Sequence, residues 1–143
     1  MKAKESNNNM TRAEKMGTLY TEVQHWQSNL GFIEGERTFI NHLLHSYTFE
    51  PHTPESFKIL QDYRNRIMIT KKTENKIVEK IVKHKARIGG VLECSDQSYD
   101  ASFRAKHTKI KVEFEQFKED FQILKAEIFE YAIKIMKKRK PSS

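Results

Sequence analysis

The stretch FRAKHTKIKVEFEQFKEDFQILKAEIFEYAIKI, residues 103–135, decides the fold. Phe103, His107, Ile110, Phe114, Phe117, Phe121, Leu124, Ile128, Tyr131 and Ile135 follow one another in alternating steps of four and three. That rhythm keeps all of them on one face of an α-helix and matches a heptad seam, whereas a strand needs a period of two. The run closes on Lys137-Lys138-Arg139-Lys140-Pro141, where cations oppose the negative end of the helix dipole and proline stops the helix.

Upstream, Cys94-Ser-Asp-Gln-Ser-Tyr-Asp100 has the composition of a turn, and Gly89-Gly90 supplies a helix stop, with Val91 and Leu92 as the apolar contact of the cap. Before it runs a second seam: Leu60, Tyr63, Ile67, Thr70, Glu74, Ile77, Ile81, His84 and Ile88. Thr53 and Pro54 read as the N-cap and first helical residue of that helix. A first seam, Met16, Leu19, Val23, Trp26, Leu30, Ile33, Arg37, Ile40, Leu44 and Tyr47, follows a capping box at Thr11-Arg-Ala-Glu14. Phe32, Phe39 and Leu43 widen its face, and Gly31 and Gly35 predict either a close helix approach or a kink.

The expected helices are therefore about 12–47, 54–89 and 101–139, with a disordered tail at 1–10 and a short tail at 141–143. Helices of about 35 residues span about 50 Å at 1.5 Å per residue, and short connections make sequential helices antiparallel. The predicted fold is all-α: an elongated, antiparallel, up-down-up three-helix bundle with coiled-coil-like packing, filling 11–140.

Composition agrees. A chain of 143 residues has the size of one domain, and five glycines with three prolines leave few turns. One cysteine, Cys94, excludes an internal disulfide, and no apolar run approaches the roughly 18 residues of a membrane span. The polar N-terminus lacks the apolar segment of a signal peptide, so a cytoplasmic location is expected. No nucleophile elbow, phosphate-binding loop or dinucleotide fingerprint is present, so the sequence predicts no enzyme and no cofactor.

Polar residues interrupt the seams in two places. Arg37 falls near Thr70 and Glu74; this predicts an ion pair that fixes register or snorkels outward, with a polar ligand pocket as the alternative. His84 and His107 fall in one layer beside Leu19. Two facing imidazoles could hold a divalent metal with Glu22 or His25, whose Glu-x-x-His spacing occurs in di-iron bundles; the alternative is a hydrogen-bonded histidine pair. A second such motif, which a di-iron site requires, is missing.

The formal charge of +7 reads first as a lysine-coated surface. Its concentration on the second helix, in Lys71, Lys72, Lys76, Lys80, Lys83 and Arg87, gives a candidate polyanion-binding stripe. The aromatics lie mostly on the seams and so are not free to stack on bases.

Trp26, Leu30, Phe32, Glu36, Phe39 and Leu43, then Tyr63-Arg-Asn65-Arg-Ile67, His84, His107, Phe114, Phe117, Leu124, Glu127 and Phe129, form a pattern over about 19–131. It resembles small uncharacterised bacterial three-helix proteins. The resemblance implies a bacterial cytoplasmic protein with the same bundle and transfers no functional residue.

The leading functional expectation is a non-enzymatic bundle that contacts a protein partner or a second copy of itself. Phe32, Phe39, Leu43, Phe57, Ile59, Ile69, Ile123 and Phe129 lie beside the seams and form an interface if the bundle leaves them uncovered. Nucleic-acid binding comes second and metal binding third.

Overall fold

A computed structural model describes residues 11–93 and 97–139. The expected tails at 1–10 and 141–143, the loop residue Cys94 and the stop at Pro141 lie outside the described residues. The fold is an all-α three-helix bundle, with α1 at Arg12–Leu44, α2 at Pro54–Glu93 and α3 at Gln97–Arg139. A one-turn 3-10 helix, Tyr47–Phe49, lies between α1 and α2. Among the described residues, no helix is long and apolar enough to cross a membrane.

Contacts divide the chain into two units, and all three helices contribute to each. The first holds the described residues up to 29 and from 77 to 114; the second holds 30–76 and those from 115 onward.

In the first unit, Met16, Val23, Trp26, Ile77, Ile81, Ile88, Phe103, Ile110 and Phe114 are buried, as the seams require. Lys85 of α2 reaches Gln27 of α1, and Arg12, fifteen residues earlier on α1, reaches Val91, six residues later on α2, so these helices are antiparallel. Lys80–Glu113 and His84–His107 set α2 against α3 in the same sense. In the second unit, Leu30, Ile33, Ile40, Leu44, Leu60, Ile67, Phe117, Phe121, Leu124 and Ile128 form the core. Arg64 bonding to Leu44 and Lys71 to Glu34 again pair α1 and α2 antiparallel.

Three boundaries differ from expectation. α1 stops at Leu44, not 47. Both the Arg64 Nε and Nη2 donate to the Leu44 carbonyl, at 3.2 and 2.9 Å, placing a cation from α2 at the negative end of α1. Tyr47, expected on the seam, is 85% exposed, and Phe49 is buried instead, with its ring centroid 6.0 Å from that of Tyr131.

The expected stop at Gly89-Gly90 does not occur: α2 runs through both glycines to Glu93. Val91 explains this, since it is fully buried against Met16, Ile88 and Phe103, and its carbonyl accepts from Arg12. Burying a valine side chain is worth about 1.5–3 kcal/mol, enough to offset two helical glycines at about 1 kcal/mol each.

α3 starts at Gln97 rather than 101, so most of the expected loop is helix. Asp100 in its first turn is buried and receives both Arg12 Nε and Nη2, at 2.7 and 2.6 Å.

The caps at the other ends match expectation. The Glu14 N–H donates to Thr11 Oγ1 at 3.1 Å, and the Ser56 N–H to Thr53 Oγ1 at 3.0 Å. Gly31 and Gly35 permit no close approach within the chain, because a Cβ on either would meet nothing within 4 Å.

Candidate functional site

In the first unit, successive turns of α2 and α3 bring His84 and His107 together, as the seam register predicts. His84 Nε2 lies 2.9 Å from His107 Nδ1, and His107 Nε2 lies 3.1 Å from Glu22 Oε1. His84 is fully buried and stacks on Phe103, with ring centroids 4.2 Å apart and 10° between planes. His107 packs against Trp26 at 4.7 Å. His84 Nδ1 is buried without a hydrogen-bond partner.

These contacts fix the proton positions. A carboxylate only accepts, so His107 Nε2 carries hydrogen toward Glu22 and its Nδ1 is a lone pair. His84 Nε2 then donates to that lone pair, which leaves His84 Nδ1 as an unmatched acceptor rather than the costlier unmatched N–H. Burial is the first cause that depresses both imidazoles, and it takes His84 down to about 4; Glu22 partly offsets the effect at His107. The pair is neutral at pH 7.

Of the four residues named for a metal, the structure brings together His84, His107 and Glu22. His25 is exposed and takes no part in the cluster. Both nitrogens of His107 are engaged, one by His84 and one by Glu22, so the three residues form a linear relay rather than a ligand set. Among the described residues, no group of three or more His, Cys, Asp or Glu could hold a metal ion.

In the second unit, Arg37 occupies a core position with only 5% exposure, and every edge of its guanidinium is used. Nε donates to Thr70 Oγ1 at 2.9 Å, Nη1 to Glu34 at 2.6 Å, and Nη2 to buried Glu74 at 2.7 Å. Phe121 lies beneath it, 5.7 Å from ring centroid to guanidinium carbon. Lys71 joins Glu34 at 2.8 Å and Glu74 at 3.8 Å, so two cations face two carboxylates. Burial pushes the Glu74 carboxyl up against the pull of Arg37, while the hydrogen bond from Lys71 holds Glu34 low. The sequence located Arg37, Thr70 and Glu74; Glu34 and Lys71, which close the network, carried no signal beyond their i±3 spacing from Arg37 and Glu74.

A groove of about 600 Å³ opens beside this layer, lined in part by Arg37, Arg64 and Lys71. Each of these cations is already engaged, by carboxylates or by the Leu44 carbonyl, so a ligand there would have to break an existing contact.

The six basic residues of the candidate polyanion stripe on α2 do not act alike. Lys71, Lys80 and Lys83 are ion-paired with Glu34, Glu113 and Glu79, whereas exposed Lys72, Lys76 and Arg87 make no ion pair among the described residues.

The third candidate is a surface of the second unit. Phe32 is 73% and Phe39 60% exposed, and Phe39 meets Phe129 of α3 edge-on at 6.4 Å. Between them lies an apolar groove of about 450 Å³, with Gly31 and Gly35 on its α1 side and the Glu36–Lys125 ion pair at its margin. Of the other residues expected beside the seams, Phe57, Ile59, Ile69 and Ile123 are exposed, and Leu43 is half-buried.

No family model, curated protein or solved structure matches this chain.

Proposed function

We propose that this chain is a non-enzymatic, bacterial, cytoplasmic helical-bundle protein that acts by protein–protein contact, through the α1 face carrying Phe32 and Phe39 and the adjoining Phe129 of α3. The observation that carries this reading is the pair of exposed phenylalanines flanking an apolar groove. Exposed aromatics at the centre of a patch are the usual energetic anchors of an interface, and scattered single apolar residues are not. The location and origin rest on the resemblance to bacterial three-helix proteins.

The test is a photoreactive phenylalanine analogue in place of Phe39, with the same analogue at exposed Lys72 as control, irradiated in growing cells. The reading expects discrete adducts from position 39 only. No adduct, or the same adducts from both positions, would overturn it.

A second reading, polyanion binding, is supported by exposed Lys72 and Lys76 in the second unit and Arg87 in the first. Phosphate contacts of this kind release counterions and give salt-dependent affinity without sequence readout.

A further inference from the structure

We propose that the occupant of the α1 surface is a second copy of this chain, packed antiparallel on α1 about a two-fold axis at Gly35; this rests on the contact reading above.

The chain carries +7 and 31% charged residues, so two copies repel over most of their surfaces. Yet every fully exposed residue of α1 from Gly31 to His42, all of them described, is neither acidic nor Lys or Arg. The two glutamates that flank this strip are turned aside: Glu34 pairs with Lys71 of α2, and Glu36 with Lys125 of α3. Depletion of charge at the centre of a surface patch is the compositional mark of an interface. A strongly acidic or basic partner would find no opposite charge on this strip, whereas a second copy needs none.

A two-fold contact must be self-complementary, so a residue that protrudes has to meet a recess on the same surface. In an antiparallel helix pair centred on Gly35, positions equally far before and after it face each other. Where the i±4 rows of the two helices align, Phe39 sits over Gly31 of the second copy, so a large residue faces a small one. Space around the glycines is open, since a Cβ on Gly31 or Gly35 meets nothing within 4 Å of its own chain. Phe129 braces Phe39 from the side, so the knob is held in place before association. Exposed Phe39 and the two costly helical glycines thus have one common explanation.

Mass by light scattering, from about 1 µM to about 1 mM, covers the range in which small interfaces dissociate. The expected result is a rise from one chain mass toward two. Gly31→Leu fills the recess for Phe39 and should weaken the dimer at least about tenfold. It should leave the thermal midpoint unchanged or raised, because leucine is the better helix former. Phe39→Asp should abolish the dimer. In a Cys94→Ser background, Gly35→Cys places two thiols at the axis, within the roughly 3.5–4.5 Å Cβ separation of a disulfide. It should give a linked dimer on mild oxidation, while Lys72→Cys stays monomeric.

A monomer at all concentrations with no cross-link at position 35 overturns the second copy. Photo-adducts from position 39 of a mass other than two chains would then leave the contact reading standing, and their absence would remove both. A dimer unaffected by Gly31→Leu and Phe39→Asp also overturns the proposal.

Discussion

His84 shows how one buried nitrogen couples stability to pH. In the fold its imidazole is neutral, held down to about 4 chiefly by burial, whereas an unfolded histidine titrates near 6.5. As pH falls below about 6.5 the unfolded chain binds the proton first, so stability that is complete above that pH is lost progressively toward 4. The gap corresponds to about 3 kcal/mol. Urea unfolding at pH 7.5 and pH 4.5 should therefore show a larger acid loss for the wild type than for His84→Leu. Equal losses would mean that His84 is not the titrating group. At pH 7.5 the variant should stay within about 1.5 kcal/mol of wild type, because the unmatched acceptor merely passes from His84 Nδ1 to His107 Nδ1. Arg37 behaves in the opposite way, since all three of its donor positions are used in the core. Arg37→Ala leaves buried Glu74 with only its longer, 3.8 Å contact to Lys71 and should cost about 3–5 kcal/mol. Arg37→Met with Glu74→Leu should recover most of that in the same denaturation assay, and a double variant no better than the single would show that the layer is irreplaceable. Both polar layers were legible from seam register alone, because a charged or imidazole residue at an apolar position must find a partner. Glu22 was marked out by its Glu-x-x-His spacing, but Glu34 and Lys71 were not distinguished as completing groups, since they stand just off the seams among many other charged residues.

The elements themselves follow from periodicity. Nearly every seam residue is buried or half-buried, and the N-caps at Thr11 and Thr53 form as their side chains dictate. The C-terminal ends of α1 and α2 and the N-terminal end of α3 were misjudged for one shared reason: a local stop signal is worth only about 1 kcal/mol, and a tertiary contact can exceed it. At Gly89-Gly90 the burial of Val91 outweighs the glycine signal, and Asp100, which reads as a turn residue, is helical with Arg12 bound to it. At the end of α1, Arg64 reaches across from α2, which no local pattern near Leu44 encodes. Gly89 and Gly90 are helical, have no positive φ and have open space where a Cβ would go, so the glycines serve no conformational need. Gly89→Ala and Gly90→Ala should each stabilise by about 0.5–1 kcal/mol and raise the thermal midpoint by a few degrees. A lower midpoint in either variant would show that the helix end requires glycine after all. Val91→Ala should do the reverse and lose about 1–3 kcal/mol, measured by denaturant unfolding.

At the scale of the whole chain, the charge of +7 is the property most easily mistaken for a function. Of the six cations that mark α2 as a polyanion stripe, Lys71, Lys80 and Lys83 are each held by a carboxylate. A phosphate reaching them must displace that carboxylate, which leaves it unpaired beside a new anion. The lysines therefore contribute little to counterion release, and the effective number of phosphates neutralised falls from about six to about three. With a slope of about −0.9 per phosphate on duplex DNA, affinity should fall with salt at a log–log slope of about −3 rather than −5 or steeper. Fluorescence anisotropy with a labelled duplex, titrated from about 50 to 200 mM salt, measures that slope. A value near −5 would mean that the pairs open to admit the backbone, and polyanion binding would then displace protein contact as the leading reading. A shallow slope with weak affinity assigns the charge to solubility, since net charge bears on non-specific attraction before it bears on any specific site. It would also strengthen the case for α1, whose exposed residues from Gly31 to His42 include no Lys, Arg, Asp or Glu.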